Sequence, residues 1–201
     1  GLAVAKKLKQ SNGVRRQTGN LQGELGNALT DAGEFAEARV AYEESLKIHK
    51  KTEDRRGAAA TRFQLGTLAM LEGDLKEAIR RYREALDAFR RMNEPGSEAT
   101  VWHQLGNALD EAGRWEEAES AYRESARIKE KMGNIAGAAN TYGNLAVTME
   151  KAGKPGEAEA WYRQAMEKFR QTGDPGRQSM AASNLADLLQ NDPARLDEAQ
   201  K

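Results

Sequence analysis

Leu25, Leu65, Leu105, Leu145 and Leu185 stand 40 residues apart, and three further rows keep the same step. Gly33, Gly73, Gly113 and Gly153 form one row, Ala38, Ala78, Ala118 and Ala158 the next, and Tyr42, Tyr82, Tyr122 and Tyr162 close the frame. A step held by four rows means that one supersecondary unit is repeated along the chain. The composition agrees. A mean hydropathy of -0.81 with 31% charged residues is too polar for one large round core. Stacked repeats need only a thin apolar seam between neighbouring helices.

Each unit reads as a first helix (A), a turn at the repeated glycine and a second helix (B). A helices are predicted over 16–32, 56–72, 97–112, 137–152 and 177–190, and B helices over 35–51, 75–92, 115–132 and 155–171. The repeated glycines follow the A helices, where a residue without Cβ takes the left-handed, helix-ending conformation. The B-to-A connections EDRRG, NEPGS, GNIAG and GDPGR carry turn residues. Gly26, Gly66 and Gly106 fall inside A helices, where glycine costs about 1 kcal/mol against alanine. Set opposite Ala38, Ala78 and Ala118, they would let paired helices approach closely. Ala146 and Ala186 take their place later and should widen the contact slightly.

The stretch from Trp102 to Tyr122 carries the most specific pattern. Trp102, Leu105 and Gly106 fit W-x2-L-G, Leu109 fills the following aromatic slot, and Ala118 and Tyr122 fit A-x3-F. This pattern resembles the tetratricopeptide repeat (TPR). The resemblance implies an all-α, right-handed TPR solenoid of antiparallel helix pairs. The usual repeat has about 34 residues and ends near a proline, but here that slot holds Lys50, Arg90, Glu130 and Arg170. The B helix should therefore run on by one to two turns. In length and spacing the repeats are similar to those of kinesin light chains and of spindle-orientation adaptors that bind G-protein subunits.

The expected organisation is a single array over 1–201, with repeats over 16–54, 55–94, 95–134 and 135–174. Residues 1–12 align with the end of a preceding B helix. Residues 175–201 align with a partial fifth repeat that places Ala199 on the alanine row if one residue is inserted. Neither end reads as a polar capping helix, so the register predicts a stretch of a longer protein.

Lys plus Arg and Asp plus Glu both total 31, which leaves no basic face for nucleic acid. There is no cysteine, hence no disulfide or thiolate metal site. No run of about 18 apolar residues and no signal-peptide pattern stands out, so a cytoplasmic protein without membrane contact is expected. P-loop, HExxH, GxSxG and dinucleotide-binding patterns are missing. The carboxylates fall at helix spacings that serve pairing with Lys and Arg. His49, the other histidine, is on a B helix away from His103. No catalytic residue, metal site or cofactor is expected, and Trp102 and Trp115 read as core and turn packing.

The resemblance further implies that A helices line a concave face on which a peptide lies. Carried over position by position, one groove row holds Gly23, Phe63, His103, Gly143 and Ser183. A second holds Glu24, Gln64, Gln104, Asn144 and Asn184, and a third Asn27, Thr67, Asn107, Val147 and Asp187. None is needed for the helix seam, which the leucines and alanines supply. The pair Asn107 and Asn144 matches positions where peptide-binding members carry carboxamides, which offer a donor and an acceptor to a peptide backbone. Asn144-Leu145-Ala146 and Asn184-Leu185-Ala186 also resemble the Asn-Leu-Ala of kinesin light chain repeats. These asparagines are either peptide contacts or family-typical surface polarity.

Members that clamp a terminal carboxylate place lysine or arginine beside such asparagines. Here Phe63, His103 and Gly143 stand there, so an internal or neutral segment is the expected ligand. Asp110, Glu111 and Glu150 near one end would favour some positive charge on it. Phe63 and His103 either form a ridge, with Gly143 leaving room for an apolar side chain, or pack on their neighbours. The leading expectation is a scaffold or adaptor module that binds a peptide or helix of a partner protein. A regulatory arm of a larger signalling protein (an NTPase, regulator or protease) with an intramolecular ligand, or self-association through uncapped ends, are the alternatives.

Overall fold

The computed structural model describes residues 2–190, and their side chains from residue 11 on. Among the described residues there are nine helices and no strand: α1 (Leu2–Asp31), α2 (Phe35–Lys51), α3 (Arg55–Leu71), α4 (Leu75–Arg91), α5 (Pro95–Glu111), α6 (Trp115–Lys131), α7 (Ile135–Lys151), α8 (Pro155–Gln171) and α9 (Pro175–Gln190). The seven helices from α2 to α8 have 17 residues each, about 25 Å at the ordinary helical rise. The B helices end at Lys51, Arg91, Lys131 and Gln171, one residue beyond the slot, so the expected further one to two turns are not seen: the left-handed residues two positions on close them. The expected fifth B helix, with Ala199, lies outside the described residues.

Helix ends follow from local chemistry. Gly33, Gly73, Gly113 and Gly153 are left-handed, with φ between 69° and 79°. At the first turn the Glu34 amide donates to the Leu29 carbonyl and the Gly33 amide to that of Thr30. This double bond pattern closes a helix by satisfying carbonyls that have no partner further along. The B helices end the same way, with Glu53, Asn93, Gly133 and Gly173 left-handed. Asp54, Asp74 and Asn134 then cap α3, α4 and α7, accepting from the amides of Gly57, Glu77 and Gly137. Pro95, Pro155 and Pro175 open α5, α8 and α9, where the missing N–H costs nothing.

The N-terminal part differs from expectation. The register predicts a turn near residue 13, but α1 runs unbroken from Leu2 to Asp31 and Gly13 is helical. No proline stands there, and a lone glycine raises the helix energy by only about 1 kcal/mol.

The chain forms two compact units, residues 1–94 and 95–201. In the first, α1 packs on α2, α2 on α3 and α3 on α4, and α1 also touches α3. Its core joins Ala38, Tyr42 and Leu46 of α2 to Ala58, Leu65 and Leu68 of α3. Leu65 is covered in this way by the preceding B helix, α2. Leu25, on α1, is 48% exposed, whereas Leu65, Leu105, Leu145 and Leu185 are all buried. In the second unit each helix from α5 to α9 packs on the next. Ala126, Ala138, Ala139, Tyr142, Ala165, Phe169 and Ala181 form one buried cluster there.

The small residues on the A helices serve the tyrosine row, not the alanine row expected opposite them. A Cβ added at Gly26, Gly66 or Gly106 would stand 2.5, 2.8 or 2.7 Å from the ring of Tyr42, Tyr82 or Tyr122. The rings lie close against bare helix backbone. In the fourth pair Ala146 packs on Tyr162 instead.

Candidate functional site

The tyrosine row also governs the expected groove residues. Tyr122 is buried, and its hydroxyl donates to Asn107 Oδ1 at 2.7 Å. Asn107 Nδ2 in turn donates to Gln104 Oε1 at 2.9 Å. In the first unit Tyr42 donates to Asn27 Oδ1 at 2.8 Å, which also accepts from Gln64 Nε2 at 2.7 Å. Thr67 meets the Tyr82 hydroxyl at 3.2 Å. Asn27, Thr67 and Asn107 thus satisfy buried hydroxyls of the seam, a task the sequence assigned to leucines and alanines alone. At the fourth position the row holds Val147, which cannot accept, and Tyr162 turns to Glu150 and Asn184. Burial and neighbouring carboxylates raise the pKa of the Tyr122 and Tyr162 hydroxyls above the ordinary value, so both stay protonated donors.

Phe63 and His103 pack on the same rings. The Phe63 ring lies 5.6 Å from that of Tyr82 at 47°, and His103 meets Tyr122 edge-on at 5.6 Å. Both are half-buried covers for the seam. A Cβ at Gly143 would meet nothing within 4 Å, and Asn144 beside it is exposed. Val147 and Asn184 are exposed as well. Of the expected acidic end, Asp110 is taken up by Lys151 at 2.5 Å and Glu150 by the Tyr162 hydroxyl, which leaves Glu111 exposed.

A polar chain links the α5–α7 face to α6 beneath it. Thr141, fully buried, gives its one hydroxyl proton to the Gly137 carbonyl at 3.0 Å. It therefore accepts from Lys129 Nζ at 2.8 Å and from His103 Nδ1–H at 3.2 Å. His103 Nε2 is left to accept from Asn144 Nδ2 at 3.4 Å. Burial, and then the Lys129 charge, push the His103 pKa down to about 4. Burial alone brings Lys129 down to about 8.

These groups set a pH dependence. A histidine at about 4 in the fold and 6.5 when unfolded binds fewer protons folded, so stability falls as pH drops from 6.5 towards 4. The His103→Gln protein should lose less stability than the parent across that window, as urea unfolding at each pH would show. Parallel losses would mean that His103 is not held neutral.

Lys129 was missed among the site residues. Its row reads His49, Phe89, Lys129 and Phe169, and a lysine in a row of buried aromatics was the available signal.

Models of the tetratricopeptide repeat match residues 17–91 and 64–131, and a second such model matches 138–172. The chain belongs to the tetratricopeptide repeat family. The TPR fold is also that of solved structures too distant in sequence to show more than the fold. A kinesin light chain-type protein of Podosopora anserina, with nearly identical TPR-like repeats, is 19% identical with a TM-score of 0.77 over 92% of this chain and 91% of that one. BtubC from P. vanneervenii is 17% identical with a TM-score of 0.70, covering 92% of this chain and 85% of that one. A signal-transduction ATPase of Pyrococcus horikoshii with a TPR sensor is 17% identical, with a TM-score of 0.75 over 83% of this chain and 26% of that one. A comparison with curated proteins finds no match. Among the described residues no helix is long and apolar enough to cross a membrane. TPR arrays as a class are protein-interaction modules.

Proposed function

We propose that this TPR array is a scaffold or adaptor that holds a peptide of a partner protein on the A-helix face of its second unit. The observation that carries this is the contrast within the carboxamide pair. Asn107 is used by the seam, while Asn144 stays exposed next to the open space at Gly143. A surface amide beside a gap can bond a peptide backbone while the gap takes a side chain. The family's usual role supports a non-catalytic module, and we place it in the cytoplasm. An alternative reading, favoured by the likeness to a TPR sensor of a signal-transduction ATPase, makes the same face the sensory arm of a larger protein.

Peptides selected from a random display library on the intact chain test the reading. Asn144→Ala should weaken them about 3–10-fold, the worth of one neutral hydrogen bond of roughly 1 kcal/mol. Its unfolding transition should not move, since Asn144 supports no buried hydroxyl. Unchanged affinity would remove the face from consideration.

A further inference from the structure

Asn144 is the exposed end of a relay that starts in the seam, and the relay decides which edge of its amide faces outward. Thr141 sets the polarity. It is fully buried, and its one hydroxyl proton goes to the Gly137 carbonyl at 3.0 Å, a bond that threonines in helices commonly make. Its oxygen can then only accept, and it does so from Lys129 Nζ at 2.8 Å and from the His103 ring at 3.2 Å. A neutral imidazole holds one ring proton, and the bond made by one nitrogen fixes the state of the other. With that proton on Nδ1, facing Thr141, Nε2 is bare. Asn144 meets Nε2 at 3.4 Å, so it presents an N–H there and not its carbonyl oxygen. Its Oδ1 makes no bond among the described residues and is left for a ligand.

The first unit shows the same place without the ring. Thr61 gives its proton to the Gly57 carbonyl at 2.9 Å, as Thr141 does to Gly137. Gly23 stands where the second unit has His103, and Gln64 stands where it has Asn144. Gln64 gives its N–H to Asn27 Oδ1 at 2.7 Å, the same oxygen that serves the Tyr42 hydroxyl. That carboxamide is drawn into the seam. In the second unit the ring, held edge-on against Tyr122, takes the N–H instead and keeps Asn144 at the surface.

We propose that His103 is a positioning residue for Asn144: backed by Thr141 and Lys129, it holds the amide with Oδ1 outward, so that the A-helix face of the second unit selects a peptide through a backbone N–H. This rests on the peptide-binding reading above and names the polarity of its contact. An extended peptide offers such a donor at every residue except proline. The contact therefore excludes proline from one position of the bound segment.

Two measurements test it. The first is the ring-nitrogen NMR spectrum of histidine-labelled protein at neutral pH, with His103→Phe identifying the His103 signals. The expected form carries its proton on Nδ1. Thr141→Val, which cannot accept, should lose that preference, and Thr141→Ser should restore it. A parent protein with the proton on Nε2 would overturn the proposal, since Asn144 would then turn its carbonyl to the ring. If valine, which strands the Lys129 ammonium, unfolds the chain, His103→Phe carries the test alone. Its ring is the one that Phe63 supplies in the same row.

The second measurement uses display-selected peptides remade with one backbone N–H at a time replaced by an ester oxygen. On the parent, one ester should weaken binding about fivefold, the worth of one neutral hydrogen bond, and no selected peptide should hold proline there. On Asn144→Ala the same ester should cost less than about twofold, and on His103→Phe, where the amide is free to turn, less than about threefold. Equal costs on the parent and His103→Phe would overturn the positioning role and leave peptide binding standing. So would a loss of affinity in Asn144→Ala with no sensitive ester on the parent. A parent that selects no peptide, or whose peptides bind Asn144→Ala unchanged, would overturn both readings.

Discussion

Gly106→Ala should destabilise the protein by roughly 1–3 kcal/mol, the usual cost of forcing a methyl into a packed contact, offset in part by about 1 kcal/mol of helix propensity. The added Cβ would meet the Tyr122 ring at 2.7 Å. That ring cannot simply retreat, since its hydroxyl is tied to Asn107. Gly143→Ala provides the internal comparison. Its Cβ meets nothing within 4 Å, so the same change on the neighbouring A helix should be neutral or stabilising by up to about 1 kcal/mol. Urea unfolding of the two variants side by side checks this. Equal effects would mean that the glycine row has no packing role. The fourth repeat points to a way of restoring the loss. There an alanine already faces Tyr162, and the acceptor has moved from the position of Asn107 to Glu150. Adding Asn107→Val and Asp110→Glu to Gly106→Ala should therefore recover part of the stability.

Asn107→Ala is expected to cost about 1–2 kcal/mol, because it leaves the buried Tyr122 hydroxyl without its main acceptor. Thr148 still bonds that hydroxyl, which keeps the loss from being larger. Changing both partners, Asn107→Val with Tyr122→Phe, should be milder than Asn107→Ala alone, because no polar group is then stranded. Thermal or urea unfolding of the three proteins decides it. An Asn107→Ala protein as stable as the parent would return Asn107 to the surface and free it for ligand. This expectation reverses the sequence reading, under which Asn107 is not needed for the helix seam.

The repeat period made most of the fold legible. Rows of Leu, Gly, Ala and Tyr at a step of 40 set the helix pairs, and the left-handed glycines were each found where their row put them. The exception near Gly13 has a plain cause, since a glycine permits a turn without imposing one. The candidate site was less legible. Row membership says which face of a helix a residue shares, but not whether its hydrogen bonds run outward or into the seam. Asn107 and Asn144 look alike in sequence, and only the position of the Tyr122 hydroxyl separates them. Lys129 was hidden for a related reason. Its stem starts on a B helix, and its ammonium reaches an A helix that lies 12 residues further along.

The most direct measurement is an amide and side-chain NMR titration of the isotope-labelled protein with one display-selected peptide. The account predicts shifts concentrated on α5 and α7, led by the Asn144 side-chain amide, with Gln104, His103 and Gly143 around it. Shifts confined to the B helices, with the Asn144 amide unmoved, would contradict it.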